Sequence, residues 1–203
     1  LFLPKDFTGF LTIRSQSGDV YINKLANYCM VDVTAVSGDF LLAHSTLKRV
    51  QADLKSGDIV ISNTSANVFH VNGHSGMLNS NDVDAKEEIS YHTISGNMDL
   101  ENITTKNFFV DTKSGKIVVN GLTSENIDLV TDTGLMLLNN LTGSGNIKSD
   151  MGKINLSLAE KSKFNLSIVY TALWLPSAAL IFPRLLNSKK LSQFSSNGDI
   201  KRS

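Results

Sequence analysis

A Ser-Gly dipeptide followed by a polar and then an apolar residue recurs along this chain, as in SGDV from Ser17 and SGDI from Ser56. Three copies of the motif are degraded. Counting these copies, the motif glycines are Gly18, Gly38, Gly57, Gly76, Gly96, Gly115, Gly134 and Gly152, which follow one another at intervals of 18 to 20 residues. A fixed period near twenty is typical of a solenoid, in which each repeat forms one coil of a stack.

Apolar residues alternate with polar ones on both sides of each glycine. The second and fourth residues after the glycine are apolar in almost every repeat, as at Ile59 and Ile61, and so are the seventh and fifth before it, as at Val50 and Ala52. This period of two predicts two strands in each repeat, each with one buried face. The seventh residue after the glycine is often apolar too, at Leu25, Val83, Ile103, Leu122 and Leu141. The cross-section of a coil is therefore expected to have three sides.

Strands this short cannot bury their apolar side chains within one repeat, so each coil needs its neighbours. Stacking at about 4.8 Å would let every strand pair in parallel with its equivalents above and below. We predict an all-β fold, a parallel β-helix of about eight coils with 19–20 residues per coil and capped ends. The residues alone do not fix the handedness. Right-handed coils are favoured because crossover connections are right-handed and the six-residue beat of left-handed solenoids is absent.

The motif glycines are predicted to be structural turns. A glycine at a corner can adopt a left-handed backbone conformation, and a side chain there would crowd the adjacent coil. The preceding Ser or Thr residues form a column whose hydroxyls can bond corner amides or each other. A second polar column is predicted to mark another corner and runs through Asn23, Ser62, Asn81, Asn120 and Asn139.

The two ends of the chain depart from the repeat. Residues 1–10 contain Leu1, Leu3, Phe7 and Phe10 and are expected to cap the first coil, since an open end would present unpaired strand edges. Coils are assigned to residues 11–170, an apolar insertion or C-terminal cap to 171–193 and a last turn to 194–203. The whole chain is thus predicted to be a single β-helix domain.

The apolar insertion has three interpretations. A transmembrane helix over the uncharged residues 166–183 is disfavoured because Pro176 and Pro183 interrupt it. A cap over the last coil is the simplest reading. The alternative is docking on a partner or a membrane surface through an exposed apolar patch of Trp174, Leu175, Leu180, Ile181 and Phe182.

The residues that could carry chemistry are scattered. Asp32 and Asp128 share one outward column and Asp53 and Asp111 another, but the members of each pair are coils apart, farther than paired glycosidase carboxylates. His70, His74 and His92 occupy three different columns, which disfavours a metal site. The only cysteine, Cys29, excludes an internal disulfide and lacks a histidine at motif spacing. No catalytic residue, metal or cofactor is predicted.

The net charge of the chain and its first residues give expectations about its partners and its cellular location. Nineteen basic and nineteen acidic residues cancel, which disfavours a nucleic-acid partner. The chain begins with Leu1 and shows no signal sequence, so we expect that any signal or anchor has been removed. Membrane association could then arise through a missing N-terminal segment or through the 171–193 insertion. The oligomeric state is left open.

The repeated SGDV, SGDF, SGDI and SGNM, each preceded by an apolar-polar-apolar strand, resemble the bacterial adhesin-like family of β-strand-repeat (SGD-repeat) domains, a family of unknown function. The resemblance covers about residues 5–170 and implies a right-handed β-helix on a bacterial envelope or membrane-associated protein. It carries over no catalytic residues, and it links some members to envelope-stress responses.

The expected function is a non-enzymatic structural or interaction module at the bacterial cell envelope, either extracellular or membrane-associated. Its expected partner is a protein or a cell-surface glycan. One alternative is a β-helix carbohydrate-active enzyme, a polysaccharide lyase or hydrolase, in which Asp, Arg or Lys side chains from adjacent coils would converge in a groove. Another is a regulatory partner domain in an envelope-stress response, for which a cytoplasmic location stays open.

Overall fold

Strands make up nearly all of the described chain, and the described residues form no helix. The computed structural model describes residues 7–26, 29–159, 163–168 and 194–195. The strands are β1 (Phe10–Ser17), β2 (Val20–Asn23), β3 (Cys29–Ser37), β4 (Phe40–Ala43), β5 (Leu47–Ser56), β6 (Ile59–Ser75), β7 (Leu78–Ser95), β8 (Met98–Leu158), β9 (Lys163–Ile168) and β10 (Phe194–Ser195). The later strands are long because pairing continues around the corners, so that β8 winds through successive coils.

Parallel pairing between equivalent positions joins each coil to the next. Val50 of β5 pairs with Phe69 of β6, and Phe69 pairs with Ile89 of β7. On the other side of the glycine corner, β2 pairs with β4 and β4 with β6. The predicted ladder continues as far as Ile168, since β9 pairs in parallel with residues 144–149 of β8. The prediction of an all-β solenoid of stacked parallel coils is confirmed.

Inward rows of side chains from all three sides fill the tube. Phe69, Ile89 and Phe108 are completely buried in the row seven residues before the glycine. The third inward contact predicted after the second corner is also confirmed, because Leu25, Val83, Ile103, Leu122 and Leu141 are all buried. Leu11 and Ile13 of the first coil are only partly buried, since the described residues cover that coil on one side. The core is therefore continuous along the stack.

Several polar side chains that point inward have hydrogen-bond partners close by, whereas the buried Ser149 hydroxyl has none. The Thr93 hydroxyl donates to the Thr112 hydroxyl oxygen at 2.9 Å, and Thr112 donates to the Ser114 carbonyl at 3.1 Å. Tyr91 and Ser80 share a hydrogen bond of 2.8 Å, and the Tyr91 ring meets Phe108 edge to face. Such bonds offset the cost of removing the hydroxyls from water.

The motif glycines stack in order, each over the glycine one coil earlier. A Cβ placed on Gly57 would overlap the carbonyl oxygen of Gly38, and the same overlap recurs along the column up to Gly152 on Gly134. Backbone conformation adds a second constraint at Gly57, whose φ is 118°, but not at Gly96. The predicted structural turns are thus placed at one corner, and lack of space for a side chain is their most general cause.

The residues on either side of the glycine clasp one coil to the next. The Ser56 hydroxyl donates to the Val36 carbonyl of the preceding coil at 3.1 Å. The Asp39 carboxylate accepts the backbone N–H of Asp58 in the following coil at 2.8 Å. Equivalent bonds recur at other corners, and Asn97 takes the role of Asp by accepting the Lys116 N–H. Each polar residue of the SGD motif therefore bonds a different neighbouring coil.

The second corner lies one residue beyond the predicted polar column. The residues with positive φ there are Lys24, His44, Asn63, Asp82, Asn102, Gly121 and Asn140. Asn and Asp tolerate this left-handed conformation better than most residues. The side chains also form ladders, since the Asn139 amide donates to the Asn120 carbonyl oxygen at 2.9 Å.

The C-terminal end changes the direction of pairing. β10 pairs antiparallel with β9, with Phe194 opposite Phe164. The predicted docking patch of Trp174, Leu175, Leu180, Ile181 and Phe182 lies outside the described residues, as does the last turn at Gly198. Within the described ranges, no helix is long and apolar enough to cross a membrane.

Candidate functional site

Side chains from four successive coils form two hydrogen-bonded groups on the outward face of the strands that precede the glycine corner. We call the two groups together the polar patch and define it as Arg49, Gln51, Asp53, His70, Asn72, Glu88, His92 and Asp111. Parallel pairing places these residues side by side, with Gln51 opposite His70 and Asp53 opposite Asn72. Because outward positions alternate with core positions, a strand that buries Phe69 and Val71 must present its His70 side chain to solvent.

His70 links a cation to an anion in the polar patch. Its Nδ1 lies 3.3 Å from the Arg49 Nη2, and its Nε2 lies 2.9 Å from the Glu88 Oε1. A guanidinium can only donate, so Nδ1 accepts from Arg49 and the Nε2 proton is donated to Glu88. The tautomer with its proton on Nε2 fits both contacts.

The rest of the polar patch consists of amide and carboxylate pairs. Asp53 accepts from Gln51 at 3.1 Å and from Asn72 at 2.5 Å. His92 Nδ1 lies 3.1 Å from the Asp111 carboxylate on the next coil. The acceptor atoms are thus largely occupied by neighbours within the patch, which orders it as a flat surface.

The polar patch has the residue types of a catalytic site but not its enclosure. The His70 and Glu88 side chains are 33% and 35% exposed, and those of His92 and Asp111 are 39% and 58% exposed. Both ring nitrogens of His70 are already engaged, so neither is free to take a proton from a substrate. Across the described ranges, no group of three or more His, Cys, Asp or Glu residues is placed to hold a metal ion.

Sequence reasoning placed the histidines in separate columns and missed their carboxylate partners. Glu88 pairs with Val68, and Val68 pairs with Arg49, so His70 reaches both Arg49 and Glu88 diagonally and not straight across the ladder. The signal was the distance from the glycine, since Arg49 and Glu88 each stand eight residues before the glycine of their own coil. The interval from Gly76 to Gly96 is one residue longer than its neighbours, and the extra residue is a bulge between Ala85 and Glu88.

A shallow groove of about 540 Å³ runs along the third side of the solenoid, after the second corner. We call it the threonine groove. It is lined by Ala85, Lys86, Thr104, Thr105, Lys106, Thr123, Ser124, Glu125, Thr142 and Gly143. The exposed Thr104, Thr123 and Thr142 occupy equivalent positions in three successive coils. Thr105 and Ser124 point inward and bond backbone carbonyls, with Ser124 donating to Asn126 at 2.9 Å.

The remaining candidate residues have structural roles or stay apart. Cys29 is completely buried, its thiol donates to the Phe7 carbonyl at 2.8 Å, and burial raises the pKa of the thiol. This environment does not activate a nucleophile. Asp32 lies opposite Gln51, and Asp111 pairs with His92 and not with a second carboxylate.

Comparison with known proteins gives one family. Two overlapping matches to the model of Toastrack DUF4097 cover residues 1–88 and 67–177. This is a domain family of unknown function with β-solenoid-like repeats, and the match does not extend to the adhesin-like SGD-repeat family that the motif resembles. No match is found among curated proteins or among solved structures. The repeats and the stack of parallel coils agree with the family match, and the chain belongs to the Toastrack DUF4097 family.

Proposed function

We propose that this domain is a rigid, non-enzymatic interaction module of a bacterial cell-envelope or membrane-associated protein. Its partner is a protein or a cell-surface glycan, and adhesion is one such role. The observation that supports the proposal is the ordered outer surface. Side chains in equivalent outward positions of consecutive coils bond one another, as Asn72 bonds Asp53 and Asn126 bonds Asn107.

Such a surface favours binding over catalysis. Each outward row repeats at the strand spacing of about 4.8 Å, so a partner can meet the same group several times in line. Ladders within the rows fix side-chain rotamers before a partner arrives, which lowers the entropy cost of binding. The family match supports the fold and leaves the partner open.

The proposal can be tested by co-sedimentation of the full chain with bacterial envelope fragments. We expect saturable binding that a soluble protein of similar size and zero net charge does not share. Surface labelling of the parent protein in intact bacteria supplies the second readout, with labelling expected without lysis. Absence of both sedimentation and surface labelling would contradict an envelope role.

A carbohydrate-active enzyme is the second candidate, and the link from Arg49 through His70 to Glu88 favours it. These side chains come from adjacent coils, as a β-helix lyase or hydrolase would require. They lie on a flat face that does not exclude water, which weakens general acid–base catalysis. Incubation with acidic and neutral polysaccharides, followed by analysis of chain length, tests it. Cleavage that is lost in His70→Asn would replace the non-enzymatic proposal.

A regulatory role in an envelope-stress response is the other non-enzymatic candidate. It differs from adhesion in requiring a protein partner inside the cell or at the membrane. Fractionation of the parent protein separates the two, because a regulatory domain would be protected from surface labelling and an adhesive one would not.

A further inference from the structure

We propose that the threonine groove binds an extended acidic glycan whose chain lies parallel to the solenoid axis. This inference rests on the proposed interaction function and names the surface and the ligand class for it. The groove is distinct from the polar patch, which lies on the strands before the glycine corner.

The shape of the groove follows from the small side chains beneath it. Ala85, Thr105, Ser124 and Gly143 line the groove from successive coils, where Leu47 occupies the corresponding inward position of an earlier coil. The groove is shallow and open, with a volume of about 540 Å³, and extends over four coils.

The exposed threonines supply a row of hydrogen-bonding groups. The hydroxyls of Thr104, Thr123 and Thr142 point outward at the coil spacing of about 4.8 Å. Each hydroxyl can donate one hydrogen bond and accept two. A ligand that repeats its own hydroxyl groups along a chain can therefore meet this row at several points.

Charge selects an acidic ligand. Lys86 and Lys106 line the groove with a single carboxylate, that of Glu125, so the lining carries one net positive charge. The Lys106 ammonium forms no ion pair with any described residue. Carboxylates of a uronic acid chain would neutralise Lys106 while the sugar hydroxyls bond the threonines.

The lining also disfavours other ligands. The apolar surface in it belongs to Ala85, to threonine methyl groups and to lysine stems, with no large apolar side chain that could anchor a lipid tail or an amphipathic helix. No aromatic ring lines the groove, which excludes stacking against bases. An acidic peptide would satisfy the lysines but would leave most threonine hydroxyls without partners.

The test is calorimetric titration of the full chain with a hexamer of galacturonic acid. We expect binding that weakens with added salt and is at least about tenfold weaker for a neutral glucose hexamer. A hexamer of glutamic acid provides the peptide arm and is expected to bind more weakly than the acidic sugar. Equal binding of the neutral hexamer, or tighter binding of the peptide, would overturn the glycan assignment.

Two variants test whether the ligand binds in the threonine groove. Thr123→Val removes one hydroxyl but keeps the β-branched shape, and we expect affinity to fall about fivefold, the effect of one hydrogen bond. Lys106→Gln should weaken binding and reduce its dependence on salt. The matched control is Thr46→Val, in the same outward row but outside the groove, which should bind as the wild type does. Wild-type affinity in Thr123→Val and Lys106→Gln would overturn the proposal.

The outcomes separate this inference from the proposed function. No binding of the acidic hexamer, together with sedimentation on envelope fragments, would reject the groove ligand alone. Loss of both would reject the interaction module as well. Melting temperatures equal to that of the wild type establish that the substituted side chains act at the surface.

Discussion

At the residue scale, the column of motif glycines separates two energetic costs of adding a side chain, backbone strain at positive φ and crowding against the adjacent coil. Gly18 has a φ of 119° with open space around its missing Cβ. Gly96 lacks positive φ, but a Cβ there would overlap the Gly76 carbonyl. Gly57 combines both constraints. Alanine at these positions should therefore measure backbone strain alone, crowding alone and the two together.

We expect Gly18→Ala to lower the free energy of unfolding by about 1–3 kcal/mol through strain. Gly96→Ala should cost about 1–3 kcal/mol through overpacking. Gly57→Ala should cost more than either, and Gly57→Val or Gly115→Val more still. Urea unfolding of the set measures this order. Equal losses at Gly18 and Gly57 would show that the coil-to-coil contact has little energetic weight.

Tyr91 gives the fold a dependence on alkaline pH. Burial raises the pKa of its hydroxyl, so the folded state holds the proton more tightly than the unfolded chain. The resulting stabilisation is complete below about pH 10, the pKa of an exposed tyrosine, and is lost as pH rises further. Tyr91→Phe should cost about 1–3 kcal/mol at neutral pH, because Ser80 loses its buried partner.

The difference in free energy of unfolding between the wild type and Tyr91→Phe should become smaller above about pH 10. Unfolding in urea at neutral pH and at about pH 11 measures it, and the other tyrosines cancel in the comparison. A difference that does not change with pH would mean that Tyr91 does not titrate on unfolding.

Individual residues also show what sequence could predict. The glycines and the apolar rows were predictable, because corners and buried faces repeat with a fixed period and require particular side chains. The role of Asp39 was not, since its partner is a backbone N–H 19 residues away and no local pattern identifies it.

At the scale of the element, strands are joined by buried hydroxyls as well as by the backbone. Thr112→Val would leave the Thr93 hydroxyl buried without its acceptor. We expect a loss of about 1–3 kcal/mol for this variant, and a smaller loss when Thr93→Val is added, because the unpaired donor is then removed as well. Chemical denaturation of both variants measures the coupling. Thr104→Val, on the exposed third side of the same coil, is the control and should change stability by less than about 0.5 kcal/mol.

A loss of stability in the double variant equal to the sum of the two single losses would contradict a coupled pair.

The elements also show the limit of counting residues by column. The second corner was placed one residue early because Asn23 and Asn120 are polar on the outside of the tube, whereas the turn itself needs positive φ at Lys24 and Gly121. The Arg49, His70 and Glu88 contacts were not predicted because His70 bonds side chains that lie diagonally across the ladder, whereas column counting compares only residues directly opposite each other.

At the scale of the whole molecule, each coil pairs only with the coils before and after it. Stability should therefore be close to a sum of coil and interface terms. Gly115→Ala is expected to lower amide protection in the coils of Gly96 and Gly134 more than in that of Gly38. Hydrogen exchange followed by mass spectrometry measures this gradient. Uniform loss of protection from β3 to β8 would instead mean that the stack opens as one unit.

The hydrogen bonds at the glycine corner have a direction along the stack, since the serine bonds the preceding coil and the aspartate bonds the following coil. None of these hydrogen bonds depends on the number of coils farther along the stack. Genes encoding such a rod could therefore gain or lose whole twenty-residue modules by duplication or deletion, and its length could be adjusted in evolution or by engineering without redesigning a single joint.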